Sequence, residues 1–294
     1  MNLKIGVLCS GNLGLDSLHA LSKYFKPQFV FTDKNSEEII ELSEKHSIPV
    51  FVGNPRKNES TRFLEPFHTD VIFSINYLFI VGNNILRHPE LYAINLHGSL
   101  LPKYRGRSPH VWAIINGEKE TGVTAHIMEE GCDTGDIVLQ KHLKITTNDT
   151  GASILTKYKE IYPKIIIELI EQVNRGSLKR QKQDDRLATY FGKRSPEDGE
   201  INWNWQKERI RNWIRAQAYP YPGAFSYINQ HKIIIDEVRF SDYGFNEDMA
   251  NGLILKTEPY ISLKTPNGVI ELTKIRNDQI PSVRINDKLN SQCI

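Results

Sequence analysis

Short apolar runs alternate with segments of helical periodicity in the N-terminal part of the chain. Four such runs, rich in β-branched and aromatic residues, predict strands at residues 3–9, 28–32, 50–52 and 69–75. Leucines at helical spacing predict a helix after the first strand, and residues 37–46 form a second helix candidate. Because strands alternate with helices, this part is predicted to contain a parallel sheet that is covered on both faces.

The middle of the chain changes this pattern. The β-rich runs 121–129 and 136–145 follow each other without room for a crossover helix, so the sheet is expected to continue through a hairpin or neighbouring strands. An apolar stripe over 149–176 predicts a long helix, with Thr150 as its cap and a glycine at its end. Pro163 lies inside the stripe and is expected to kink the helix or mark a break.

The last third of the chain reads as a second domain. Residues 177–186 are polar and charged, which is typical of an exposed connection between domains. A short helix is predicted at 207–216, and further β-rich runs lie at 224–229, 232–240, 252–257 and 269–275. The predicted fold class is α/β, with a Rossmann-like N-terminal domain (1–180) of parallel or mixed sheet and a smaller, β-rich, OB-like C-terminal domain (196–294).

Composition agrees with an ordinary globular protein. The 294 residues exceed what one hydrophobic core usually organises, 39% are hydrophobic, and no apolar run is long enough to cross a bilayer. The first residues lack the regions of a signal peptide, so a cytoplasmic location without a membrane partner is expected. Cys9, Cys132 and Cys293 are too few for a disulfide framework. A formal net charge of +2 lacks the strong positive field of a dedicated nucleic-acid binder.

The densest cluster of reactive side chains follows two predicted strands. Asn95 and His97 are two residues apart and therefore face the same side of a strand. The tight turn CDTGD can bring Asp133 against a histidine from another strand. Acyl transfer to an amine needs an oxyanion donor, an acid for the leaving nitrogen and an acceptor for the amine's proton. These roles suit Asn95, His97 and Asp133, with Asp133 also holding His97 charged, although each residue taken singly is more often structural.

A longer sequence pattern narrows the chemistry. The run NLHGSLLPKYRGRSP (95–109), followed by GVTAHIMEEGCDTGDI (122–137), closely resembles the folate-dependent formyltransferases. This family includes enzymes that act on methionyl-tRNA, on glycinamide ribonucleotide and on sugar nucleotides, and the resemblance extends from about residue 3 to residue 225. The resemblance implies that Asn95, His97 and Asp133 are catalytic and that 10-formyltetrahydrofolate is the co-substrate.

The resemblance also implies where the folate binds. Its pterin ring is expected in a cleft bordered by the backbone of 74–79 and 129–136, and the candidate residues are Asn76, Tyr77, Leu78, Cys132 and Asp136. The ligand types of His97, Asp133 and Asp136 would suit a metal ion, but no repeated His or Cys spacing supports such a site. No metal is therefore assigned.

The acceptor is predicted from two further segments. SPEDGEINW (195–203) and RAQAYPYPGAFSYI (215–228) most closely resemble the domain that formylates UDP-4-amino-4-deoxy-L-arabinose and its relatives for dTDP- or UDP-linked amino sugars. A nucleotide sugar with a 4-amino group is therefore favoured, and a homodimer is expected because family members commonly dimerise. Three groups of residues are candidates for binding this nucleotide sugar: a turn at a helix N-terminus, basic residues after the catalytic strand, and two tyrosines. These acceptor-binding candidates are Ser10, Gly11, Asn12, Lys103, Arg105, Tyr219 and Tyr221, although the tyrosines could equally pack a domain interface.

Other functions stay open at this stage. The tRNA enzymes of the family carry a long basic insertion after the second strand, whereas residues 32–51 are compact and net acidic here, so no nucleic-acid partner is expected. Methionyl-tRNA formylation remains an alternative, as does hydrolysis of the folate donor by water. A third alternative is a non-catalytic nucleotide-binding module, and the presence of Asn95, His97 and Asp133 together argues against it. The GNLG loop lacks the three-glycine fingerprint of a dinucleotide site.

Overall fold

A computed structural model of the chain describes residues 3–276 and 282–290. Cys293 lies outside these residues. Contacts group the chain into two compact units. The first holds the residues up to Pro109, Thr121–Lys144 and Leu155–Phe191, and the second holds His110–Glu120, Ile145–Ile154 and the residues from Gly192 on. The domain bounds 1–180 and 196–294 stay a prediction.

The chain up to Phe191 forms nine strands and six α-helices among the described residues. In chain order they are β1 (Ile5–Cys9), α1 (Gly11–Leu21), β2 (Phe29–Thr32), α2 (Glu37–Lys45), β3 (Val50–Val52), α3 (Asn58–Leu64), β4 (Val71–Ile75), α4 (Asn83–Leu86), β5 (Tyr92–His97), β6 (Arg105–Gly106), α5 (Pro109–Ile115), β7 (Glu120–Ile127), β8 (Ile137–Lys144), α6 (Gly151–Asn174) and β9 (Tyr190–Phe191). The predicted strands and the helices α1, α2 and α6 are confirmed, whereas α3, α4 and α5 were not predicted.

Seven of these strands form one mixed sheet in the order β3-β2-β1-β4-β5-β7-β8. The strands from β3 to β5 pair in parallel, and β7 pairs with β5 antiparallel. All residues of β1, β2 and β4 are buried, as expected for parallel strands that are covered on both faces. An aromatic and aliphatic cluster packs on the sheet, and Phe29, Phe31 and Ile72 lie at its centre. The α/β fold class is confirmed.

Helix α6 continues across Pro163 as one α-helix, so the predicted break does not occur. Proline removes one backbone hydrogen bond from a helix. Buried side chains such as Tyr162 and Ile166 flank Pro163 and hold the apolar stripe in the core. At the start of the helix the Thr150 hydroxyl accepts a hydrogen bond from the Ser153 N–H, and at its end Gly176 has a φ of 62°. Both ends are therefore as predicted.

Residues 181–191, called the strap below, overlap the predicted exposed connection 177–186 and are bound to the rest of unit 1 at several points. Gln181 exchanges two backbone hydrogen bonds with Ile137. Gln183 is buried, and β9 at the end of the strap pairs in parallel with β6. Most side chains of the strap are exposed, as the composition predicts, while Gln183 and Asp185 bind the Arg105 guanidinium.

The second unit contains a helix and a five-stranded antiparallel sheet. These elements are α7 (Lys207–Ala216), β10 (Ala224–Ile228), β11 (His231–Ser241), β12 (Ile254–Lys256), β13 (Ile261–Thr265) and β14 (Gly268–Ile275), with the sheet order β10-β11-β14-β13-β12. Strand β13 was not predicted. Lys288 bridges to Leu253 and Asn290 bridges to Tyr227, so the segment 288–290 connects the two edges of the sheet. This β-rich unit matches the predicted fold class.

Among the described residues, no helix combines the length and the apolar character that a membrane crossing requires.

Candidate active site

The carboxyl edge of the mixed sheet carries the predicted site. The strand order reverses direction between β1 and β4, and such a switch point is where open α/β sheets bind ligands. The loops that follow these two strands meet there, because the Asn76 Nδ2 donates to the Ser10 carbonyl at 3.0 Å. Strand β5, which pairs with β4, brings Asn95 and His97 to the same edge.

Asn95 faces His126, a histidine that is not among the predicted site residues. In the antiparallel pair of β5 and β7, Asn95 lies directly opposite His126. The Asn95 Nδ2 is 3.1 Å from the His126 Nε2. The His126 Nδ1 donates to the Ile127 carbonyl at 2.9 Å, since a carbonyl can only accept. His126 is thus held in one orientation.

The turn after β7 delivers Asp133 to this pair. Asp133 has a φ of 55°, in the left-handed region, which aspartate adopts in tight turns more readily than most non-glycine residues do. Its Oδ2 accepts from the Gly106 N–H at 2.9 Å and lies 3.5 Å from the His97 Nδ1. Its Oδ1 lies 3.4 Å from the His126 Nε2. One carboxylate therefore contacts both imidazoles.

His97 is oriented from its other side. Its Nε2 donates to the Tyr104 carbonyl at 2.7 Å, so Nδ1 is the nitrogen that exchanges a proton near Asp133. Burial lowers the pKa of His97, and this outweighs the opposing effects of the Asp133 charge and the Tyr104 hydrogen bond. The expectation that Asp133 keeps His97 charged is therefore wrong for the protein without substrate, in which His97 is neutral at neutral pH.

Asp133 stays ionised. Burial alone would raise the pKa of this carboxyl group. Interactions with the neighbouring imidazoles of His97 and His126, together with the Gly106 N–H, outweigh the burial and hold the pKa of Asp133 well below its usual range. A permanent carboxylate between two imidazoles can accept a proton from a nucleophile, directly or through a histidine.

The neutral state of His97 has a consequence for stability. The pKa of His97 is lowered by folding, so the unfolded chain binds more protons than the folded one below the ordinary histidine pKa of 6.5. The free energy of unfolding of the wild type should therefore fall as the pH is lowered from about 7.5 to about 5.5. It should fall less in His97→Gln, which has no imidazole to protonate at this position but keeps an N–H donor for the Tyr104 carbonyl. Asp133, whose pKa is depressed, stabilises the folded protein at both of these pH values, and this stabilisation is lost only at more acidic pH. Urea unfolding at both pH values measures the difference, and equal losses in the two proteins would contradict the assignment.

The predicted folate residues lie around the switch point. Asn76 has a φ of 53°, Tyr77 is half-buried against the phenylalanine cluster, and Leu78 is 44% exposed. Cys132 is exposed, with its sulfur 3.6 Å from the Asp133 Oδ2. Asp136 forms an ion pair with Arg180 at 3.0 Å. The folate role of all five stays a prediction.

The phosphate candidates of unit 1 are placed less favourably than predicted. Ser10 is fully buried, and the Gly11 N–H at the start of α1 already donates to the Ser36 hydroxyl at 2.9 Å. Asn12 and Lys103 are exposed. Arg105 is only 1% exposed, and three side chains of the strap bind its guanidinium, so it is not free to neutralise a phosphate. The proposed phosphate role of Arg105 is therefore not supported.

The two tyrosine candidates belong to the second unit. Tyr221 donates to or accepts from the His110 Nε2 at 2.9 Å and is half-buried. Tyr219 is 71% exposed. Its ring lines a cavity of about 380 Å³ together with Arg211, Arg215 and Lys274. Tyr219 is thus accessible to a ligand, and its role stays a prediction.

Metal chemistry finds no support in the geometry. Within residues 3–276 and 282–290, no group of three His, Cys, Asp or Glu side chains could hold a metal ion. The reactive groups of the site are a carboxamide, two imidazoles and a carboxylate, which act by hydrogen bonding and proton transfer.

The chain is an α/β protein whose candidate site lies at the carboxyl edge of the mixed sheet. Two family models match the chain, one described as formyl transferase over residues 9–170 and one as the C-terminal domain of formyl transferase over residues 193–292. The chain belongs to the formyl transferase family.

Individual relatives agree with this assignment. The chain is 39% identical over 271 residues to the bifunctional polymyxin resistance protein ArnA of Wigglesworthia glossinidia brevipalpis, which covers 88% of this chain, while the chain spans only 41% of that relative's length. Among solved structures, WlaRD, a sugar 3N-formyl transferase, has a TM-score of 0.71 at 23% identity and covers 93% of this chain and 99% of its own. An N-formyltransferase of Helicobacter canadensis has a TM-score of 0.72 at 23% identity, covering 92% and 98%. The fold is therefore shared across nearly the whole chain.

Proposed function

We propose that the protein transfers a formyl group from 10-formyltetrahydrofolate to the amine of a UDP- or dTDP-linked amino sugar. The observation that carries this proposal is the convergence of Asn95, His97, His126 and Asp133 at one edge of the sheet. These groups supply a hydrogen-bond donor, proton carriers and a permanent base. An amine is already a nucleophile, so the site needs no covalent intermediate.

The residues at the switch point fit such a donor. Leu78 and Ile80 are 44% and 65% exposed and offer apolar surface to a ring system. Arg107 donates to the Leu78 carbonyl at 3.0 Å and so connects this loop to the segment that follows the catalytic strand. When bound, 10-formyltetrahydrofolate supplies an activated formyl group on a nitrogen that can depart. WlaRD was solved with 5-N-formyl-THF and the Helicobacter enzyme with folinic acid, which supports the same donor here.

Asn95 is the donor for the oxygen that becomes negative. One of its two amide hydrogens points to the His126 Nε2, and among the described residues no other acceptor for its second hydrogen is seen. A positioned amide of this kind contributes about 10²–10³ in rate. His126 thus orients the carboxamide that touches the formyl oxygen.

Asp133 and His97 move the protons. The amine must lose a proton as it attacks, and the carboxylate of Asp133 is ionised to receive it. The proton is then shared with the His97 Nδ1 at 3.5 Å, and the imidazolium is stabilised by the adjacent carboxylate. A neutral His97 in the free protein therefore becomes the acid for the leaving nitrogen during turnover.

The acceptor class rests on the relatives and on the surface. WlaRD was solved with dTDP and the Helicobacter enzyme with dTDP-3-aminofucose. Segments 195–203 and 215–228 resemble the domain for a UDP-linked 4-amino sugar, which favours a 4-amino group here. Residues 32–51, where the tRNA enzymes carry a basic insertion, form α2 and β3 and are net acidic. This surface suits a small nucleotide sugar better than a nucleic acid.

A panel of four acceptors tests the proposal: dTDP- and UDP-linked sugars with a 3-amino or a 4-amino group. With 10-formyltetrahydrofolate, mass spectrometry should show the gain of one formyl group on a 4-amino sugar in preference to its 3-amino counterpart. Without an acceptor, the enzyme should release formate from the donor far more slowly than it transfers the formyl group when the acceptor is present. Equal formate release with and without acceptor would instead identify a hydrolase.

A further inference from the structure

The strap binds the turn that carries Asp133 through one buried side chain. The Gln183 Nε2 donates to the carbonyls of Asp133 and Gly135 at 2.8 and 2.7 Å. Its Oε1 accepts two hydrogen bonds from the Arg105 guanidinium, at 3.2 and 2.8 Å. Guanidinium groups only donate and carbonyls only accept, so the chemistry of the partners determines which way this amide faces.

The same strap also holds the other side of the site. The Arg105 N–H donates to the Thr189 carbonyl at 2.8 Å, and the Tyr104 N–H donates to the Thr189 hydroxyl at 2.8 Å. Tyr104 is the residue whose carbonyl accepts from His97. Gly106, next in the chain, donates its N–H to the Asp133 carboxylate.

Gly106 shows how closely the strap approaches. Its φ is 102°, and a β-carbon there would overlap the Phe191 carbonyl oxygen. The Tyr104 ring stacks on Phe191, with 4.9 Å between the centroids and 14° between the planes. The segment 104–106 is therefore clamped against the strap by backbone and ring contacts together.

We propose that Gln183 is a positioning residue, whose amide joins the Asp133 turn to Arg105 and so holds the carboxylate against His97 and His126. Asp133 has a left-handed backbone, and the two hydrogen bonds from Gln183 restrain the carbonyls of Asp133 and Gly135 in this turn. Arg105 is the fixed end of the link, since Asp185 and Tyr190 bind the same guanidinium. The inference rests on the proposed function, because it assigns the link to the placement of the base in that reaction.

Gln183→Glu separates the two halves of the link. A carboxylate still accepts from Arg105, so the buried guanidinium keeps its partner, but it has no hydrogen to donate and repels the carbonyls of Asp133 and Gly135. With the acceptor that the wild type formylates, kcat should fall about 10–100-fold, since misplacing a reacting group by about 1 Å costs rate of this order. The KM of both substrates should change by no more than about two-fold, because Gln183 touches neither.

Gln181→Glu is the matched control. It makes the same chemical change two residues away on an exposed side chain, and its backbone bridge to Ile137 is unaffected. This variant should keep the kcat of the wild type. Gln183→Asn is the second test variant: it keeps both amide groups but is one methylene shorter, so it cannot reach Arg105 and the turn together, and it should show the same selective loss of kcat.

The outcomes are distinct. A wild type that formylates no amino sugar would overturn the proposed function, whereas an active wild type with an equally active Gln183→Glu would overturn the inference alone. A crystal structure of Gln183→Glu tests the link without any assay: the distance between the Asp133 Oδ2 and the His97 Nδ1, 3.5 Å in the wild type, should lengthen by about 1 Å. An unchanged distance, or failure of both Gln183 variants to fold, would show a structural role only.

Discussion

Asp133→Asn is expected to lower kcat by about 10²–10⁴-fold, the range for loss of a general base. Asparagine has nearly the shape of aspartate, and its oxygen can still accept from the Gly106 N–H, so the turn should keep its conformation. What is lost is the negative charge that stabilises protonated His97 and receives the proton of the amine. Steady-state formylation at saturating donor and acceptor, with thermal unfolding as a check on folding, measures the effect.

A matched substitution controls for this result. Asp248 lies on an exposed loop of the second unit, and Asp248→Asn should keep the kcat of the wild type. If Asp133→Asn retained more than about a tenth of the activity, its carboxylate would not be the base. The proton would then have to leave through one of the histidines alone.

Asn95→Asp should have the second-largest effect, a loss of about 10²–10³ in kcat. Aspartate is nearly isosteric with asparagine, but it cannot donate a hydrogen bond and places a second negative charge close to the oxygen that becomes negative. The KM of both substrates should change little, because the negative charge on the formyl oxygen develops only in the transition state.

Asn174→Asp at the exposed end of α6 makes the same change away from the site and should be without effect. Initial rates over a grid of donor and acceptor concentrations separate kcat from KM. A rise in KM with an unchanged kcat would mean that Asn95 binds substrate in its ground state and is not the oxyanion donor.

Much of the fold could be predicted from periodicity alone. The strong apolar stripe of α6 and the pattern of α7 identified both helices, and α7 has the predicted bounds Lys207–Ala216. The short helices α3 and α4 have too few turns to show a period. Strand β13, Ile261–Thr265, is only five residues long and all five are buried, so it lacks the long alternation of apolar and polar residues that identifies a strand in the sequence. Of the kink or break predicted at Pro163, the break does not occur, because the buried stripe around this residue holds the helix.

The site could be predicted only in part. Asn95, His97 and Asp133 stand out as a pattern, and the structure places them together. His126 was missed because its role depends on the register between β5 and β7, although it follows Thr124 by two residues on the same face of a strand. Arg105 was misjudged for a related reason: nothing local in the sequence shows that Gln183, 78 residues away, binds its guanidinium.

A crystal structure with 5-formyltetrahydrofolate, a stable analogue of the donor, tests the central claim most directly. The pterin is expected to lie at the switch point between β1 and β4. Asn95, His97 and Asp133 are expected to surround the reacting end of the folate, within about 3–3.5 Å of the position that a formyl carbon on N10 takes. Folate bound elsewhere, with these three side chains facing bulk solvent or one another only, would contradict it.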